Sequence, residues 1–283
     1  MLNYNSPAEI RRVLDALGLR LQKRWGQNFL INRGARRAIV SLVEPEERDT
    51  VWEIGPGLGT LTVLLLPEIR FLQVFEIDRG LIRFLNETFG DHKNFRIVAG
   101  DVMKTWKSCL DKQGPPDKIV GNLPYSSASA LIGALAENRV AAKRMVFTVQ
   151  RELAQRMTAE PGNKNYSSFT VLCQVAYRIS ERMKLKPGSF FPPPEVHSSV
   201  VVLQPNTEVI PDWSFFLRCT RALFRSRRKT MRNNLLAAGF TDSARLDRLF
   251  GELGIDPGVR SERLTPQELL RFSQRLKLDS EDL

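Results

Sequence analysis

The chain has few of the residues that build metal centres and disulfide frameworks. Its three cysteines, Cys109, Cys173 and Cys219, are widely spaced and odd in number, which fits neither a disulfide framework nor a set of metal ligands. Only two histidines are present, His92 and His197, which argues against a histidine-based metal site or catalytic triad. We therefore predict a protein without metal that works in a reducing compartment.

Long apolar segments and a secretion signal are also lacking. No apolar run approaches the roughly 20 residues that cross a membrane. Residues 1–12 are polar, and no apolar segment of a signal peptide follows them. We therefore expect no membrane partner and a cytoplasmic location.

Acidic residues are outnumbered by basic ones, at 31 Asp and Glu against 42 Lys and Arg, for a formal net charge of +11. Such a charge says little about the fold but favours polyanionic partners, nucleic acid above all. The length of 283 residues exceeds what one core usually organises, so we expect two domains. The sequence carries no signal of an oligomer, and we expect a monomer.

Short apolar segments alternate with helical patterns over the first two-thirds of the chain. The predicted strands are 50–54, 71–77, 95–99, 118–121, 144–149, 169–176 and 200–203. The predicted helices are 7–17 and 34–43 in an N-terminal extension, then 60–66, 80–88, 127–137 and 150–159. Strands separated by helices predict an α/β fold, with a largely parallel sheet covered by helices on both faces.

The pattern changes after Gln204-Pro205-Asn206-Thr207, because only helices are predicted beyond this point. The predicted helices are 212–224, 228–238, 242–253 and 265–276. Gly239 and Gly254 stand where two of them should end. We therefore predict an α/β domain over 1–205 and a small C-terminal helical domain over 206–283.

A glycine-rich turn, Gly55-Pro56-Gly57-Leu58-Gly59, directly follows the first predicted strand. Glycines allow a tight strand-to-helix turn to approach a ligand, and a helix N-terminus offers unpaired N–H groups. The G-x-G-x-G spacing differs from the G-x-G-x-x-G of a dinucleotide site, because residue 60 is a threonine. The turn alone therefore leaves a ligand site and a purely structural turn both open.

Acids at the next two strand ends favour the ligand site. Glu76 lies at the end of the second strand, where a carboxylate accepts both ribose hydroxyls of a nucleoside. The side chain of Asp78 is expected on the same side of the strand as that of Glu76. We prefer Glu76 as the ribose-binding acid because it lies closer to the strand end. Asp101 follows the third strand, where it would accept from an adenine amine. Glycines and two acids at successive strand ends predict S-adenosylmethionine as the ligand.

The most specific motif is Asn122-Leu123-Pro124-Tyr125, directly after the strand at 118–121. Asparagine offers a carbonyl acceptor, proline gives a rigid turn without an N–H, and tyrosine supplies a π face. Together they suit the exocyclic amine of adenine. With the glycine turn upstream, the motif predicts methyl transfer onto nitrogen, and this context disfavours the alternative of a plain proline turn.

These motifs together resemble the ribosomal RNA adenine dimethyltransferases, and most of all their bacterial small-subunit members, the kasugamycin-resistance group. The segments that carry the resemblance are Gln27–Leu30, Glu53–Gly59, Phe75–Asp78, Gly100-Asp101, Asn122–Tyr125, Gln150–Glu152 and Phe190–Ser198. The resemblance spans nearly the whole chain and implies a Rossmann-like S-adenosylmethionine-dependent methyltransferase domain. The implied activity is dimethylation of the N6 amines of two adjacent adenosines near the 3′ end of small-subunit (16S) ribosomal RNA, with a role in small-subunit biogenesis. His197 departs from the acidic or amide residue usual in the family.

The resemblance also implies roles for single residues. The implied cofactor contacts are Asn28, Leu30, Gly55, Gly57, Gly59, Glu76, Asp101, Val102 and Asn122. The implied residues of the reacting centre are Asn122, Leu123, Pro124, Tyr125 and Phe190. Asn122 and the carbonyl of Leu123 would accept hydrogen bonds from the target amine, and the two aromatic rings would pack against the flipped-out base. The resemblance implies no metal.

A basic segment in the predicted helical domain, residues 218–232, contains no acid, and part of it resembles the RNA-contacting stretch of the family. The predicted RNA contacts are Arg221, Arg225, Arg227, Arg228, Lys229 and Arg232. With the basic run at 20–24 they would clamp phosphates and make binding salt-dependent. A solvated helix face is the alternative, although such faces usually include acids.

Three rival functions stay open. The large-subunit dimethyltransferases of macrolide resistance are closest, and the basic stretch Phe224–Arg232 favours the small-subunit reading. A DNA adenine methyltransferase is disfavoured, because Asn-Leu-Pro-Tyr replaces the Asn/Asp-Pro-Pro-Tyr common there. A non-catalytic ribosome-assembly factor would bind RNA without transfer, but Glu76, Asn122 and Tyr125 argue for retained catalysis.

Overall fold

The computed structural model describes residues 2–19, 28–240 and 242–281. The chain divides into two compact units. The first comprises Met1–Ile132, Val140–Ala154 and Ser180–Pro205, and the second comprises Gly133–Arg139, Gln155–Ile179 and Asn206–Leu283. The second unit thus takes in two segments from before residue 206. The basic run at 20–24 and Gln27, both singled out above, lie outside the described residues.

Nine strands and twelve α-helices are present in the described part of the chain. The strands are β1 (Phe29–Leu30), β2 (Thr50–Ile54), β3 (Phe71–Glu76), β4 (Phe95–Ala99), β5 (Lys118–Asn122), β6 (Arg144–Gln150), β7 (Tyr177–Leu185), β8 (Phe190–Phe191) and β9 (Ser198–Pro205). The helices are α1 (Pro7–Ala16), α2 (Arg33–Val43), α3 (Thr62–Leu65), α4 (Arg79–Phe89), α5 (Val102–Gln113), α6 (Tyr125–Glu137), α7 (Arg151–Met157), α8 (Ser168–Ala176), α9 (Trp213–Leu223), α10 (Met231–Ala237), α11 (Ser243–Leu253) and α12 (Pro266–Glu281). None of the described helices is long and apolar enough to span a membrane.

Seven strands form one sheet in the order β4-β3-β2-β5-β6-β9-β7. The pairs β2–β3, β3–β4, β2–β5 and β5–β6 are parallel, and β9 runs antiparallel to β6. The chain therefore runs outward from β2 to β4 and then returns to β5 on the other side of β2. Ligands bind where the strand order reverses in this way. The predicted Rossmann-like α/β fold is confirmed.

The parallel strands β2, β3, β5 and β6 are buried over most of their length because helices cover both faces of the sheet. One core cluster packs Ile39 of α2, Leu65 of α3 and Leu85 of α4 against Val51 and Val120 of the sheet. A separate two-stranded ribbon joins β1 to β8, with Phe29 opposite Phe191 and Leu30 opposite Phe190. This ribbon brings the segment that follows residue 28 into the core of the first unit.

Several elements differ from the sequence prediction. Residues 168–176 form helix α8, whereas we predicted a strand over 169–176, because a short buried apolar run does not distinguish the two. The missed signal is Ser167, whose N–H donates to Thr170 Oγ1 at 3.1 Å and so closes the first turn. Strand β7, at the edge of the sheet, was not predicted because exposed charges alternate along it. Helix α5 was also missed.

In the second unit, the helices after residue 206 follow the prediction closely. Asp212, Thr230 and Asp242 accept hydrogen bonds from the first turns of α9, α10 and α11. Phe216, Leu235, Leu249 and Phe272 are among the residues that fill its core. Helices α8 and α12 both pack against α9, so the misread segment belongs to this helical core.

Candidate active site

A cavity of about 330 Å³ lies at the strand ends where the order of the sheet reverses. Four successive strand ends line it. Gly55–Gly57 follow β2, and Gly100–Met103 follow β4. Glu76 is the last residue of β3 and Ile77 follows it, and Asn122 is the last residue of β5 and Leu123 and Pro124 follow it. The volume is in the range of small-ligand sites. The structure thus brings together the glycine turn, both acids and the Asn-Leu-Pro-Tyr motif.

The glycine turn reaches the cavity through Gly55 and Gly57, which have left-handed φ angles of 65° and 60°. A Cβ on Gly57 would lie 2.9 Å from the ring of Phe29, so the turn needs glycine there for close packing as well. Gly59 differs, because it is buried and a Cβ there would lie 2.5 Å from the ring of Phe89. Gly59 therefore packs the turn against α4, and its contact with the cofactor stays a prediction.

Glu76 is 6% exposed and lies on the cavity wall. Its Oε2 accepts from the N–H of Gly57 at 3.2 Å, and its Oε1 accepts from the N–H groups of Ile77 and Asp78 at 2.8 and 3.0 Å. Burial raises the pKa of Glu76 to about 7, against the opposing effect of these hydrogen bonds. Asp78 instead caps α4 by accepting from Gly80 and Leu81. This placement supports the preference for Glu76.

Glu53 is a cavity residue that the sequence reasoning did not single out. It is 2% exposed on β2 and accepts from Thr62 Oγ1 at 2.6 Å. Burial, with a smaller contribution from the nearby charge of Glu76, raises the pKa of Glu53 to about 7. The sequence could have identified Glu53 as a cavity residue, because it is a carboxylate inside an apolar strand and directly before the glycine turn.

Asp101 begins helix α5, where its Oδ1 accepts from the N–H of Met103 at 2.9 Å. Asp101, Val102 and Met103 all lie on the cavity wall, together with Ile77. An acidic cap beside apolar side chains can accept from an amine and cover the faces of a planar ring. The contacts of Asp101 and Val102 with an adenine ring stay predictions.

Asn122 ends β5, and its Nδ2 donates to the backbone carbonyl of Asn28 at 2.7 Å. The amide oxygen is then the atom with acceptor capacity for another group. A Cβ on Gly121 would lie 2.8 Å from the carbonyl oxygen of Ile54, so glycine allows β5 to approach β2 here. The N–H of Leu123 donates to the carbonyl of Thr148 at 3.1 Å, which fixes the turn that follows Asn122.

Tyr125 begins α6, and its hydroxyl lies 2.5 Å from Oγ of Ser198, a fully buried residue that starts β9. Burial raises the pKa of Tyr125 above its usual value. The hydroxyl is thus anchored away from the described cavity lining, which contains Pro124 but not Tyr125. A role for the ring beside the base stays a prediction.

Leu30 and Phe190 do not lie on the cavity wall. They face each other across the β1–β8 ribbon, 0% and 2% exposed, and both belong to the main core cluster. Their side chains pack in the core of the first unit, and the contacts of Leu30 with the cofactor and of Phe190 with the base stay predictions. They are buried because two large apolar side chains lie opposite each other on the inner face of the ribbon.

The predicted RNA-binding arginines fall into two groups. Arg221 pairs with Glu137 at 2.5 Å, Arg227 with Glu262 at 3.2 Å, and Arg232 with Asp247 at 2.7 Å. These acids come from outside the segment 218–232. Arg225 donates to the carbonyl of Ala237 at 3.3 Å.

Arg228 and Lys229 are exposed and have no ion pair among the described residues. Of the six predicted RNA contacts, these two therefore remain available to a partner.

No cluster of three or more histidines, cysteines or acids with the arrangement of a metal site occurs among residues 2–19, 28–240 and 242–281.

Residues 18–277 match the family described as ribosomal RNA adenine dimethylase. The chain belongs to this family. It is therefore an adenine dimethyltransferase, and the resemblance found in the sequence is confirmed. Family and fold together support S-adenosylmethionine as the methyl donor.

Relatives named ribosomal RNA small subunit methyltransferase A resemble the chain along nearly its whole length. The protein of Treponema denticola is 39% identical over 279 residues, which are 96% of this chain and 94% of the relative. That of Syntrophotalea carbinolica is 40% identical over 264 residues, which are 91% of this chain and 97% of the relative.

Two solved structures share the fold. A dimethyladenosine transferase of Plasmodium falciparum is 25% identical with a TM-score of 0.76, covering 88% of this chain and 97% of the other. The 23S rRNA methyltransferase ErmE is 24% identical with a TM-score of 0.68, covering 88% of this chain and 100% of the other.

Proposed function

We propose that the protein dimethylates the N6 amines of two adjacent adenosines near the 3′ end of small-subunit (16S) ribosomal RNA, as part of small-subunit biogenesis. The observation that carries the proposal is the orientation of Asn122, whose Nδ2 is bound to the Asn28 carbonyl in the cavity that also contains Glu76. The names of the relatives support the small subunit as substrate.

The cavity residues fit S-adenosylmethionine. The left-handed Gly55 and Gly57 leave the turn open to a ligand, and the Glu76 carboxylate is held at the cavity wall to accept ribose hydroxyls. Asp101 and Val102 would hold the adenine, and Asn28 would lie at the methionine end. When bound, S-adenosylmethionine supplies a methyl group on a positively charged sulfur, which is already activated for transfer.

Asn122 prepares the target amine for attack. The lone pair of the adenine amine is delocalised into the ring, which makes this nitrogen a poor nucleophile. The amide oxygen of Asn122 and the carbonyl of Leu123 would accept its hydrogens, favour a pyramidal nitrogen and stabilise the positive charge that develops on it. Pro124 fixes the turn that holds both acceptors. The proton leaves after attack, so the arrangement needs positioning more than a general base.

The target base must leave its stack to reach the cavity, and Tyr125 would replace part of the lost stacking. Arg228 and Lys229 would hold RNA phosphates in the second unit. We further propose that the protein acts as a cytoplasmic monomer.

Methyl transfer from labelled S-adenosylmethionine to unmethylated small subunits, large subunits and plasmid DNA tests the substrate. We expect label in small-subunit RNA alone. Label in large-subunit RNA would move the protein to the resistance enzymes, and label in DNA to the DNA methyltransferases. Tight RNA binding without any label would support the assembly-factor alternative.

A further inference from the structure

Arg227 joins three loops of the second unit. It lies in the loop 224–230 between α9 and α10, and its Nη1 donates to the backbone carbonyl of Lys164 at 2.9 Å. Its Nε and Nη2 both lie 3.2 Å from Oε2 of Glu262. Lys164 belongs to the loop 160–166, and Glu262 belongs to the short 3₁₀ turn Ser261–Arg263. All three of its side-chain nitrogens are therefore engaged within the protein.

Other hydrogen bonds hold the same loops together. The N–H of Gly162 donates to the carbonyl of Glu262 at 2.7 Å, and Ser261 Oγ donates to the carbonyl of Leu223 at 2.8 Å. The buried Asn234 donates to the carbonyls of Leu223 and Ser226 at 2.9 and 3.0 Å. The positions of the three loops therefore do not depend on Arg227 alone, because hydrogen bonds to backbone groups also hold them together.

The three loops carry more basic than acidic residues. We call the exposed cations Lys164, Arg228, Lys229 and Arg263 the three-loop surface. None of the four has an ion pair among the described residues. The acids of these loops are Glu160 and Glu262, and Glu262 is neutralised by Arg227. A rigid cluster of unpaired cations favours a polyanion with regularly spaced charges.

We propose that the three-loop surface binds the phosphate backbone of RNA, with Lys164 and Arg263 as contacts outside the basic segment 218–232. In this arrangement Arg227 is a positioning residue that holds the loop of Lys164, and not itself a phosphate contact. The inference rests on the proposed function and extends its RNA contacts to two further loops.

The salt dependence of RNA binding tests the two new contacts. Removing one cation that neutralises a phosphate makes the slope of log K against log salt shallower by about 0.7 for a single strand and by about 0.9 for a duplex. The double variant Lys164→Gln/Arg263→Gln should therefore make the slope for small-subunit RNA shallower by about 1.4 to 1.8. Arg248→Gln is the matched control, because Arg248 is exposed on α11 and also lacks an ion pair among the described residues. Equal slopes for the double variant and the control would overturn the proposal.

Hydrogen exchange in the RNA-free protein tests the role of Arg227. Arg227→Gln should speed exchange of the Gly162 amide, whereas Arg228→Gln should leave it unchanged. If Arg227→Gln weakens RNA binding without altering this exchange, Arg227 contacts phosphate directly and the positioning role is wrong.

Methyl transfer by the unaltered protein distinguishes a failure of the three-loop proposal from a failure of the proposed function. Label in small-subunit RNA with an unchanged slope for the double variant would reject the three-loop surface alone. A shallower slope without label would retain the surface and reject the proposed function.

Discussion

Asn122 is the residue whose geometry most directly limits the chemistry. Replacement by alanine removes its acceptor oxygen together with the hydrogen bond from Nδ2 to the Asn28 carbonyl, and leaves the glycine turn in place. We expect Asn122→Ala to lower kcat by about 10²–10³-fold, the usual effect of losing one group that stabilises developing charge. S-adenosylmethionine binding should persist in equilibrium dialysis. Asn138→Ala, which removes an exposed amide at the end of α6, is the control, and equal turnover in both variants would reject the assignment.

Glu76 makes cofactor binding depend on pH. Burial raises its pKa to about 7, and only the ionised carboxylate accepts from both ribose hydroxyls. Affinity for S-adenosylmethionine should therefore rise as pH increases through about 7 and level off above it. Calorimetry between pH 6 and 8.5 measures this, with Glu76→Gln as the variant that should bind more weakly and lose most of the dependence. A flat affinity in the unaltered protein would contradict the ribose role.

At the scale of elements, the turn after β2 depends on Gly59 for packing. Gly55 and Gly59 both have left-handed φ angles, but a Cβ on Gly59 would lie 2.5 Å from Phe89, whereas one on Gly55 would have only the Asn122 carbonyl at 4.0 Å. Both alanine variants incur the left-handed strain of about 1–2 kcal/mol. Gly59→Ala should cost about 1–3 kcal/mol more, because it also overpacks the core. Urea unfolding measures the difference, and equal losses would refute the packing role.

The elements also mark what the sequence can and cannot predict. The parallel strands were predicted almost to the residue, because each is an apolar run bounded by a turn and followed by a helix. Helix α8 was misread because its apolar run lacks the polar face that identifies a helix. The predicted site contacts rest on the motifs alone for Phe190 and Leu30. Their burial depends on pairing between β1 and β8, 160 residues apart in sequence, which no local pattern reveals.

At the scale of the whole molecule, the stability of the ligand-free protein should depend on Glu53 and Glu76. Both have pKa values raised from 4.5 to about 7 by burial, so the folded state binds their protons more tightly than the unfolded state does. Their contribution is present in full below about pH 4.5 and is lost as pH rises through 7.

Glu53→Gln keeps an oxygen for Thr62 Oγ1 but cannot ionise. The variant should therefore lose less stability than the unaltered protein between pH 5 and 8. Thermal unfolding across that range checks the sign. A steeper loss in the variant would show that Glu53 is stabilising in its charged form.

Net charge is a property of the whole molecule. The sequence gives its value but does not show which cations are paired with acids. The segment 218–232 contains no acid, yet three of its arginines pair with Glu137, Glu262 and Asp247 from elsewhere in the chain. Counting cations therefore overstates those available to RNA. Lys164 and Arg263 were overlooked because they lie far from the segment in sequence. The bonds of Arg227 to the Lys164 carbonyl and of Ser261 to the Leu223 carbonyl bring their loops to it.

The most direct test of the whole account is mass spectrometry of small-subunit RNA after reaction with the purified protein and S-adenosylmethionine. We expect N6,N6-dimethyladenosine at two adjacent positions near the 3′ end, and far less of it after the same reaction time with Asn122→Ala. Methyl groups at another atom or in another region of the RNA, or full modification by Asn122→Ala, would contradict it.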